Sequence, residues 1–233
     1  MRIAIGALAL AMAVSACSSG GGTNPVVSAI WGKVKPGARR AAAEAEAEAA
    51  ARPPIVVTFA KIKETGLAIV RARVGDDTNG VMLYARSIND NYVTFASQLQ
   101  QTLTLNGSLI TASRAIGFDM LSLRSDPHDP VTQNIPPEDW PARATRDYRF
   151  TGDTPEGKLV SVSCRFIKGP AYELELLDKT FDTTIMQGQC RGDGVSFTNI
   201  HLVQADGQIL QSAQWLGPDL GMVEIDILEP YTP

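Results

Sequence analysis

The chain has 233 residues, of which 21 are basic and 25 acidic, giving a formal net charge of −4. A chain of this length supports one well-buried domain beside a leader and a linker. The mild charge leaves no basic stripe that would follow a phosphate backbone, so we do not expect a nucleic-acid partner.

The amino terminus has the pattern of a bacterial lipoprotein signal. A positive start, Met1-Arg2, precedes an apolar run over residues 3–14 that is shorter than a membrane span. The sequence V-S-A-C then ends at Cys17, with small residues at the positions that a signal peptidase reads. We therefore predict that residues 1–16 are removed and that Cys17 carries acyl chains such as palmitate, which anchor the protein to a membrane.

The residue after the acylated cysteine is Ser18 rather than aspartate, so retention in the inner membrane is not indicated. We expect the periplasmic face of the outer membrane. Residues 17–54 would form a tether and spacer, flexible over the Gly/Ser-rich segment 18–24 and helical over the Ala/Glu-rich segment 38–51. A short helix around Trp31 either docks on the domain or contacts a partner or the membrane surface.

The pattern from residue 55 onward changes to short alternating apolar segments that turn residues separate. The predicted strands before the centre of the chain are 55–60, 67–74, 81–87, 92–96, 102–105 and 109–114. Those after it are 146–151, 158–167, 171–177, 179–189, 195–204, 208–215 and 223–228. Residues 117–123 fit a short helix or a turn. We predict an all-β domain over residues 55–233, with about 10–12 antiparallel strands in a barrel-like or sandwich arrangement.

The last three predicted strands form a meander. Val223, Ile225 and Ile227 alternate with two acidic residues, which gives a strand one dry and one wet face. In the strand before it, Ile209, Ala213 and Trp215 share a parity and are expected to share the dry face. In the first of the three, the apolar parity changes at Asn199, which needs either a bulge or an apolar pair on the outer face.

Several segments of this region resemble one known family. They are S-F-T-N at 196–199, D-G-Q-I at 206–209, S-A-Q-W-L-G-P-D-L-G at 212–221 and V-E-I-D-I-L at 223–228, with a fainter likeness at 107–120. These segments are similar to the YjbF/GfcB lipoproteins. The resemblance implies a role in assembly or export of exopolysaccharide or group 4 capsule. It also implies partners among periplasmic and outer-membrane secretion proteins and the polysaccharide itself.

Two cysteines remain after Cys17 is acylated. Cys164 shares a strand face with Val160, Val162 and Phe166, and Cys190 ends a following strand. In an oxidising compartment such an even pair predicts a Cys164–Cys190 disulfide. Closing this loop would stabilise the fold by roughly 3–4 kcal/mol.

The proline-rich segment 125–145 is long for a compact domain, and such loops are often functional. Asp126, His128 and Asp129 within it suggest a metal site, but a solvated acidic turn explains the same residues, and we predict no metal. The chain has two histidines, and neither lies in a nucleophile or zinc motif. Asp119 with Glu175 would be the best glycosidase-like carboxylate pair, although exposed structural roles are favoured.

We therefore expect no enzyme and no cofactor, but a binding or scaffolding protein. The alternatives are a polysaccharide-modifying enzyme and a carrier that holds a lipid in an apolar cavity. Candidates for a contact surface are Gln211, Gln214, Trp215 and Asp219, because amides and an aromatic ring suit sugar hydroxyls. Trp215 is also a candidate core residue.

Overall fold

A computed structural model describes residues 56–232, apart from positions 76, 78, 118, 153 and 155. The predictions for residues 1–55 (signal peptide, lipidation, tether and spacer) lie outside the described residues. The described elements are α1 (Phe59–Glu64), β1 (Ile69–Val74), β2 (Val81–Asn89), β3 (Tyr92–Ala96), β4 (Thr102–Asn106), β5 (Leu109–Arg114), β6 (Met120–Ser125), β7 (Arg143–Phe150), β8 (Lys158–Leu176), β9 (Lys179–Gly192), β10 (Val195–Val203), β11 (Ile209–Trp215) and β12 (Met222–Glu229). Two 3-10 turns, Pro130–Thr132 and Pro137–Asp139, lie between β6 and β7.

The twelve strands form one antiparallel sheet in which all chain neighbours except β5 and β6 pair, and β1 pairs with β12. The sheet order is therefore β5-β4-β3-β2-β1-β12-β11-β10-β9-β8-β7-β6, with β5 and β6 at its two ends. These ends approach each other, so the sheet curls into a nearly closed barrel. The all-β antiparallel prediction is confirmed, and the barrel-like alternative is the correct one. No helix in the described part of the chain has the length and apolar character needed to cross a bilayer.

Because successive strands alternate in direction, successive connections alternate between the two ends of the barrel. One end, here the mouth end, carries the turns after β2, β4 and β10, the long β6–β7 loop and the segment after β12. The interior near the other end is filled by packed aromatic rings. The Phe197 and Trp215 rings stack with centroids 4.3 Å apart, and Tyr148 meets Trp215 edge-on at 5.2 Å.

A second apolar cluster covers part of the outer face of the sheet. The β8–β9 hairpin overruns its neighbours, and its ladder shifts register between Lys168 and Ala171. Its tip and α1 then pack against outward residues of other strands. The buried members are Ile62, Ile69, Leu174, Leu176, Leu202, Leu210 and Leu228. The sheet is therefore dry on both faces in this area.

The predicted strand at 55–60 is wrong, because α1 begins at Phe59. The Thr58 hydroxyl caps α1 by accepting from the Lys61 backbone N–H at 3.3 Å. Phe59 and Ile62, three residues apart, share the face that packs on the outer cluster. The predicted helix or turn over 117–123 is also wrong, because strand β6 begins there at Met120.

The parity change at Asn199 is resolved by the second alternative. The β9–β10 ladder runs without a shift from Val195 to Val203, so Leu202 faces outward and is buried by the outer cluster. In β11, a register shift between the partners of Leu202 and Val203 reverses the expected faces over residues 212–214, while Ile209 lies in the core as predicted. Ala213 lies on the outer face, contrary to the prediction, whereas Trp215 lies in the core.

Cys164 and Cys190 are joined by a disulfide between directly opposite positions of the β8–β9 ladder. Both are buried, with Val160, Val162 and Phe166 on the same face as Cys164. The cross-link lies in the part of the hairpin that belongs to the barrel wall. The wall is thus tied at the strand pair from which the overhanging tip extends.

Candidate functional site

The four residues predicted as a contact surface do not form one surface. Gln214 and Trp215 are 2% and 8% exposed, and Gln214 spans the interior to bind the Ile110 N–H and the Ser108 carbonyl of β5 and its preceding turn. Gln211 is half-buried on the outer face, and Asp219 is exposed in the β11–β12 turn. Two other parts of the surface, an outer groove and a cleft at the mouth end, combine polar side chains with an open depression.

The first place is an outer groove of about 680 Å³, lined by Arg71, Arg73, Asp77, Glu175, Gln211 and Glu224 among others. Its floor follows from strand register. Arg71 lies opposite Asp226 across the β1–β12 ladder, and Gln211 lies opposite Asp226 on the other side. Charged residues of β1 and β12 and a glutamine of β11 thus meet in one row across three adjacent strands.

Asp226 is fully buried although it lies on the outer face of the sheet. It accepts hydrogen bonds from Arg71 Nε at 2.7 Å, Arg73 Nη1 at 2.6 Å and Gln211 Nε2 at 2.7 Å. Burial lowers the pKa of Arg73, but its hydrogen bonds to Asp226 and Glu224 outweigh this and raise the pKa overall. The acids occupy these guanidinium groups, so the row is chiefly a structural ion-pair network.

The second place is a cleft of about 430 Å³ at the mouth end, here the mouth cleft. Its floor is apolar, formed by buried core residues such as Phe95, Leu105 and Ile209. Its rim is polar and comes from four turns and the segment after β12. Rim residues include Asn91, Asn106, Ser108, Thr132, Asn134, Gln208 and Tyr231.

A side groove of about 580 Å³ adjoins the mouth cleft and shares Asn91, Asn106 and Thr132 with it. Tyr92, Arg124 and Asp126 line the far side of this groove. Tyr92 and Tyr231 are 41% and 38% exposed, so an aromatic ring stands in each of the two connected depressions. The pair of depressions combines an apolar floor, neutral amides and exposed rings.

The β6–β7 loop builds one wall of the mouth cleft and is held from several sides. The Ser108 N–H donates to the Val131 carbonyl at 3.0 Å. A Cβ at Gly107 would come within 2.6 Å of the Thr132 backbone, and a Cβ at Gly207 within 2.5 Å of the Ile135 backbone. Only glycine permits turns to approach the loop this closely.

A buried ion pair fixes the same loop from within the barrel. Asp129 accepts from Arg146 Nε at 2.7 Å and from Arg146 Nη2 at 3.0 Å, and both side chains are fully buried. Burial lowers the pKa of Arg146, but the Asp129 charge and hydrogen bonds raise it overall. The cost of burying the two charges is offset by this two-point contact.

His201 faces the interior, where the rings of His201 and Trp140 have centroids 5.8 Å apart. Neither ring nitrogen of His201 has a hydrogen-bond partner among the described residues. Burial, with a smaller effect of the Arg146 charge, lowers the pKa of His201 to about 3. The imidazole is therefore neutral at physiological pH, and its place is that of a core residue.

The residues considered for a metal site point apart. Asp126 accepts from the His128 backbone N–H at 2.9 Å, His128 is exposed, and Asp129 turns inward to Arg146. Within the described residues, no three His, Cys, Asp or Glu side chains are grouped closely enough to hold a metal ion.

The considered carboxylate pair is likewise separated. Asp119 accepts from the Ala115 N–H at 2.9 Å and from the Ser113 hydroxyl at 3.2 Å, in the β5–β6 turn. Glu175 lies on the overhanging hairpin and lines the outer groove. Asp119 lies where the two ends of the sheet meet, whereas the groove beside Glu175 lies over β1, β11 and β12 in the middle of the sheet, so the two acids do not face each other as glycoside hydrolysis requires.

Sequence reasoning missed the mouth cleft because its rim comes from turns far apart in the chain. The available signals were the turn pairs Asn106-Gly107 and Asp206-Gly207, together with the proline-rich loop. A meander brings alternate turns to one end of a barrel. The turns could therefore be recognised locally, but their assembly into one rim follows only from the number and order of the strands.

One comparison with known proteins shows the family of this chain, and another shows its fold. The model of the family described as "Group 4 capsule polysaccharide lipoprotein gfcB, YjbF" matches residues 31–228. No curated protein matches the chain. A crystal structure of the hypothetical lipoprotein YmcC from Escherichia coli (K12) is similar with a TM-score of 0.64 and 18% identity, covering 77% of this chain and 92% of that chain. At that identity the likeness shows a shared fold. Because the family match spans most of the sequence and the shared fold accords with it, the chain belongs to the YjbF family of lipoproteins associated with group 4 capsule polysaccharide.

Proposed function

We propose that this protein is a lipid-anchored binding or scaffolding component in the assembly or export of an extracellular polysaccharide, working at the periplasmic face of the outer membrane. The observation that carries the proposal is the family match over residues 31–228, which includes the whole β domain except its last few residues. The domain is tied to the membrane through Cys17 and a tether over residues 17–54.

The anchor gives the proposal its physical content. Acylation at Cys17 confines the domain to a thin layer beside the membrane, which raises its effective concentration toward neighbours in the same layer. Weak contacts with secretion proteins or with polymer then suffice for function. A scaffold of this kind needs rigid surfaces, and the barrel with its disulfide supplies them.

The geometry favours binding over the two alternatives. The catalytic residues considered for a modifying enzyme, Asp119 with Glu175, are separated. A lipid carrier needs an open apolar interior, whereas the described barrel interior is occupied by Tyr148, Phe150 and Trp215 and by the buried Asp129–Arg146 pair. The exposed linings of the outer groove and the side groove are largely polar, and the mouth cleft has a polar rim around its apolar floor.

The test is recovery of partners from membranes. The lipidated protein, tagged at its carboxyl terminus, is purified from cross-linked outer membranes of strains that do and do not make the polymer. We expect secretion proteins or polymer to co-purify from the producing strain. The matched control is Cys17→Ser, which we expect to leave the membrane fraction and to lose these partners.

Two results would contradict the proposal. One is recovery of no secretion protein and no polymer from the producing strain. The other is normal export of extracellular polysaccharide in a strain that lacks the protein.

A further inference from the structure

We propose that the mouth cleft and its side groove bind a short segment of the polysaccharide, with Tyr92 and Tyr231 as stacking platforms and the rim amides as hydrogen-bonding groups. The inference rests on the proposed function, and it names the surface and the class of ligand. An unbranched oligosaccharide segment is the ligand that the chemistry of the two depressions fits.

The rim of the mouth cleft carries amide side chains that suit sugar hydroxyls. Sugars present many hydroxyl groups, each both a donor and an acceptor, and side-chain amides offer both functions as well. Asn91, Asn106, Asn134 and Gln208 surround the mouth cleft. Within the described part of the chain, none of these four side-chain amides makes a hydrogen bond to another residue, so their donors and acceptors are available to a ligand.

Two aromatic rings are exposed at the same end of the barrel. Tyr92 and Tyr231 are 41% and 38% exposed, and each lines one of the two depressions. An exposed tyrosine beside polar groups is amphipathic: the ring face takes the apolar C–H face of a sugar while the phenol remains hydrated. Two rings at the same end of the barrel suit a chain of sugars better than a single small molecule.

The size and connection of the two depressions also suit a short sugar chain. The depressions measure about 430 Å³ and 580 Å³ and share Asn91, Asn106 and Thr132 as a common border. Each lies in the range that holds a small ligand. Their walls are fixed by the β6–β7 loop, which the Asp129–Arg146 pair and the Ser108–Val131 hydrogen bond hold in place. A preformed cleft of this kind binds without a large ordering cost.

Few charged side chains line the two depressions. The mouth cleft has one acid, Asp90, at its edge, and the side groove has Arg124 and Asp126. No cationic cluster lines either depression among the described residues, so a strongly anionic head group has no matched partner there.

The experiment uses the full lipidated protein in lauryldimethylamine oxide, a detergent without a sugar head group. The probes are size-fractionated oligosaccharides released by partial hydrolysis from the polymer of the producing strain, and binding is measured by titration calorimetry. We expect binding by the unmodified protein. Tyr231→Ala and Asn91→Ala should each weaken it by about five- to tenfold, the loss of one stacking or hydrogen-bonding contact.

Matched controls are Tyr172→Ala and Asn79→Ala. Tyr172 is a 48% exposed tyrosine on the overhanging hairpin, and Asn79 is exposed in the β1–β2 turn at the other end of the barrel. Both variants should bind like the unmodified protein. Dodecanoate, an acyl chain without a sugar, should not compete.

The outcomes separate this inference from the proposed function. If the four variants bind oligosaccharide alike, or if dodecanoate displaces it, the mouth cleft is not the sugar site. If the unmodified protein binds no oligosaccharide but still co-purifies with secretion proteins, the inference fails and the scaffolding role stands. If it binds no oligosaccharide and recovers no partner, both fail.

Discussion

His201 is buried in the barrel interior without a hydrogen-bond partner among the described residues, which makes its protonation unfavourable in the folded state. Its inward position follows from the unshifted β9–β10 ladder, which faces Asn199 and His201 to the interior and Ile200 and Leu202 outward. A neutral imidazole without a partner tolerates a dry interior, whereas an imidazolium does not. Acid should therefore act on the fold through this residue.

The unfolded chain binds a proton at His201 near the ordinary pKa of about 6.5, whereas the folded pKa is about 3. Between these values the unfolded state binds more protons, so stability falls as pH falls from about 6.5 toward about 3. Between pH 6.5 and pH 5 this residue alone should cost about 2 kcal/mol. Urea unfolding of the full-length chain at several pH values measures the slope.

His201→Leu should flatten that slope between pH 5 and pH 7, a window in which most carboxylates remain ionised. The matched control is His128→Asn, because His128 is the other histidine of the chain and is exposed. The control should keep the slope of the unmodified protein. An unchanged slope in His201→Leu would show that the loss of stability in acid has another source.

Two neighbouring acids of β12 should differ sharply in importance. The Asp226 side chain is fully buried and binds Arg71, Arg73 and Gln211, whereas the Glu224 side chain is 42% exposed and pairs with Arg73. Asp226→Ala leaves two partly buried guanidinium groups, with side chains 23% and 13% exposed, without their main partner and should cost about 2–3 kcal/mol. Glu224→Ala should cost less than about 1 kcal/mol.

Thermal or urea unfolding of the two variants side by side measures this difference. The prediction is contradicted if both variants lose the same amount of stability. That result would mean that Asp226 is in effect solvated despite its three hydrogen-bond partners.

Among the elements, the β6–β7 loop depends on a charge pair rather than on apolar packing alone. Asp129→Ala leaves the Arg146 guanidinium buried and unpaired, which should cost about 3–5 kcal/mol. Replacing both members, Asp129→Leu with Arg146→Met, removes the buried charges together. The double variant should lose only about 1 kcal/mol, chiefly from the cap that Asp129 provides to the Val131 N–H.

Urea unfolding of the single and double variants tests this coupling. A double variant as unstable as Asp129→Ala would show that the loss comes from the other contacts of Asp129, and not from leaving the Arg146 guanidinium buried and unpaired. Oligosaccharide binding should survive in the double variant if the loop keeps its place, because neither residue lines the mouth cleft.

The elements that were predictable from sequence are those whose environment is ordinary. β3 and β5 have the predicted bounds, and the strand with Val160, Val162, Cys164 and Phe166 buries the predicted face. A period of two reveals alternation, but it does not tell which outer faces another element will cover. Leu210 is buried on the outer face for that reason, because the overhanging hairpin and α1 lie across it. Asp226 is buried there beneath the side chains of its partners Arg71, Arg73 and Gln211.

Helix α1 was missed for a related reason. The run from Val56 to Phe59 is rich in β-branched and aromatic residues, which favours a strand. Its turn of helix is fixed instead by tertiary contacts: the Phe59 N–H donates to Asp178 at 2.8 Å, and the Phe59 and Phe181 rings meet edge-on at 5.5 Å. The mouth cleft could not be predicted for the same reason, since it forms only when the turns come together in the folded barrel.

For the molecule as a whole, we expect the barrel to open most readily between β5 and β6, where no backbone ladder closes the sheet. β5 and β6 end the sheet, and side chains link them. The Met120 N–H donates to the Ser113 hydroxyl at 2.9 Å, and Arg114 Nη1 donates to the Met120 carbonyl at 3.0 Å. Ser113 is 1% exposed, so water cannot easily replace its hydroxyl as the acceptor for the Met120 N–H.

Ser113→Ala should therefore open this seam locally before the barrel unfolds, because a buried N–H left without a partner costs about 1–3 kcal/mol. Hydrogen exchange followed by mass spectrometry on the full-length chain should show faster exchange in peptides of β5 and β6, with β11 and β12 unchanged. Ser87→Ala, at an exposed serine of β2, is the matched control and should exchange like the unmodified protein. Faster exchange throughout the barrel would show instead that the seam opens only with global unfolding, and that side-chain closure is as strong as the ladders elsewhere.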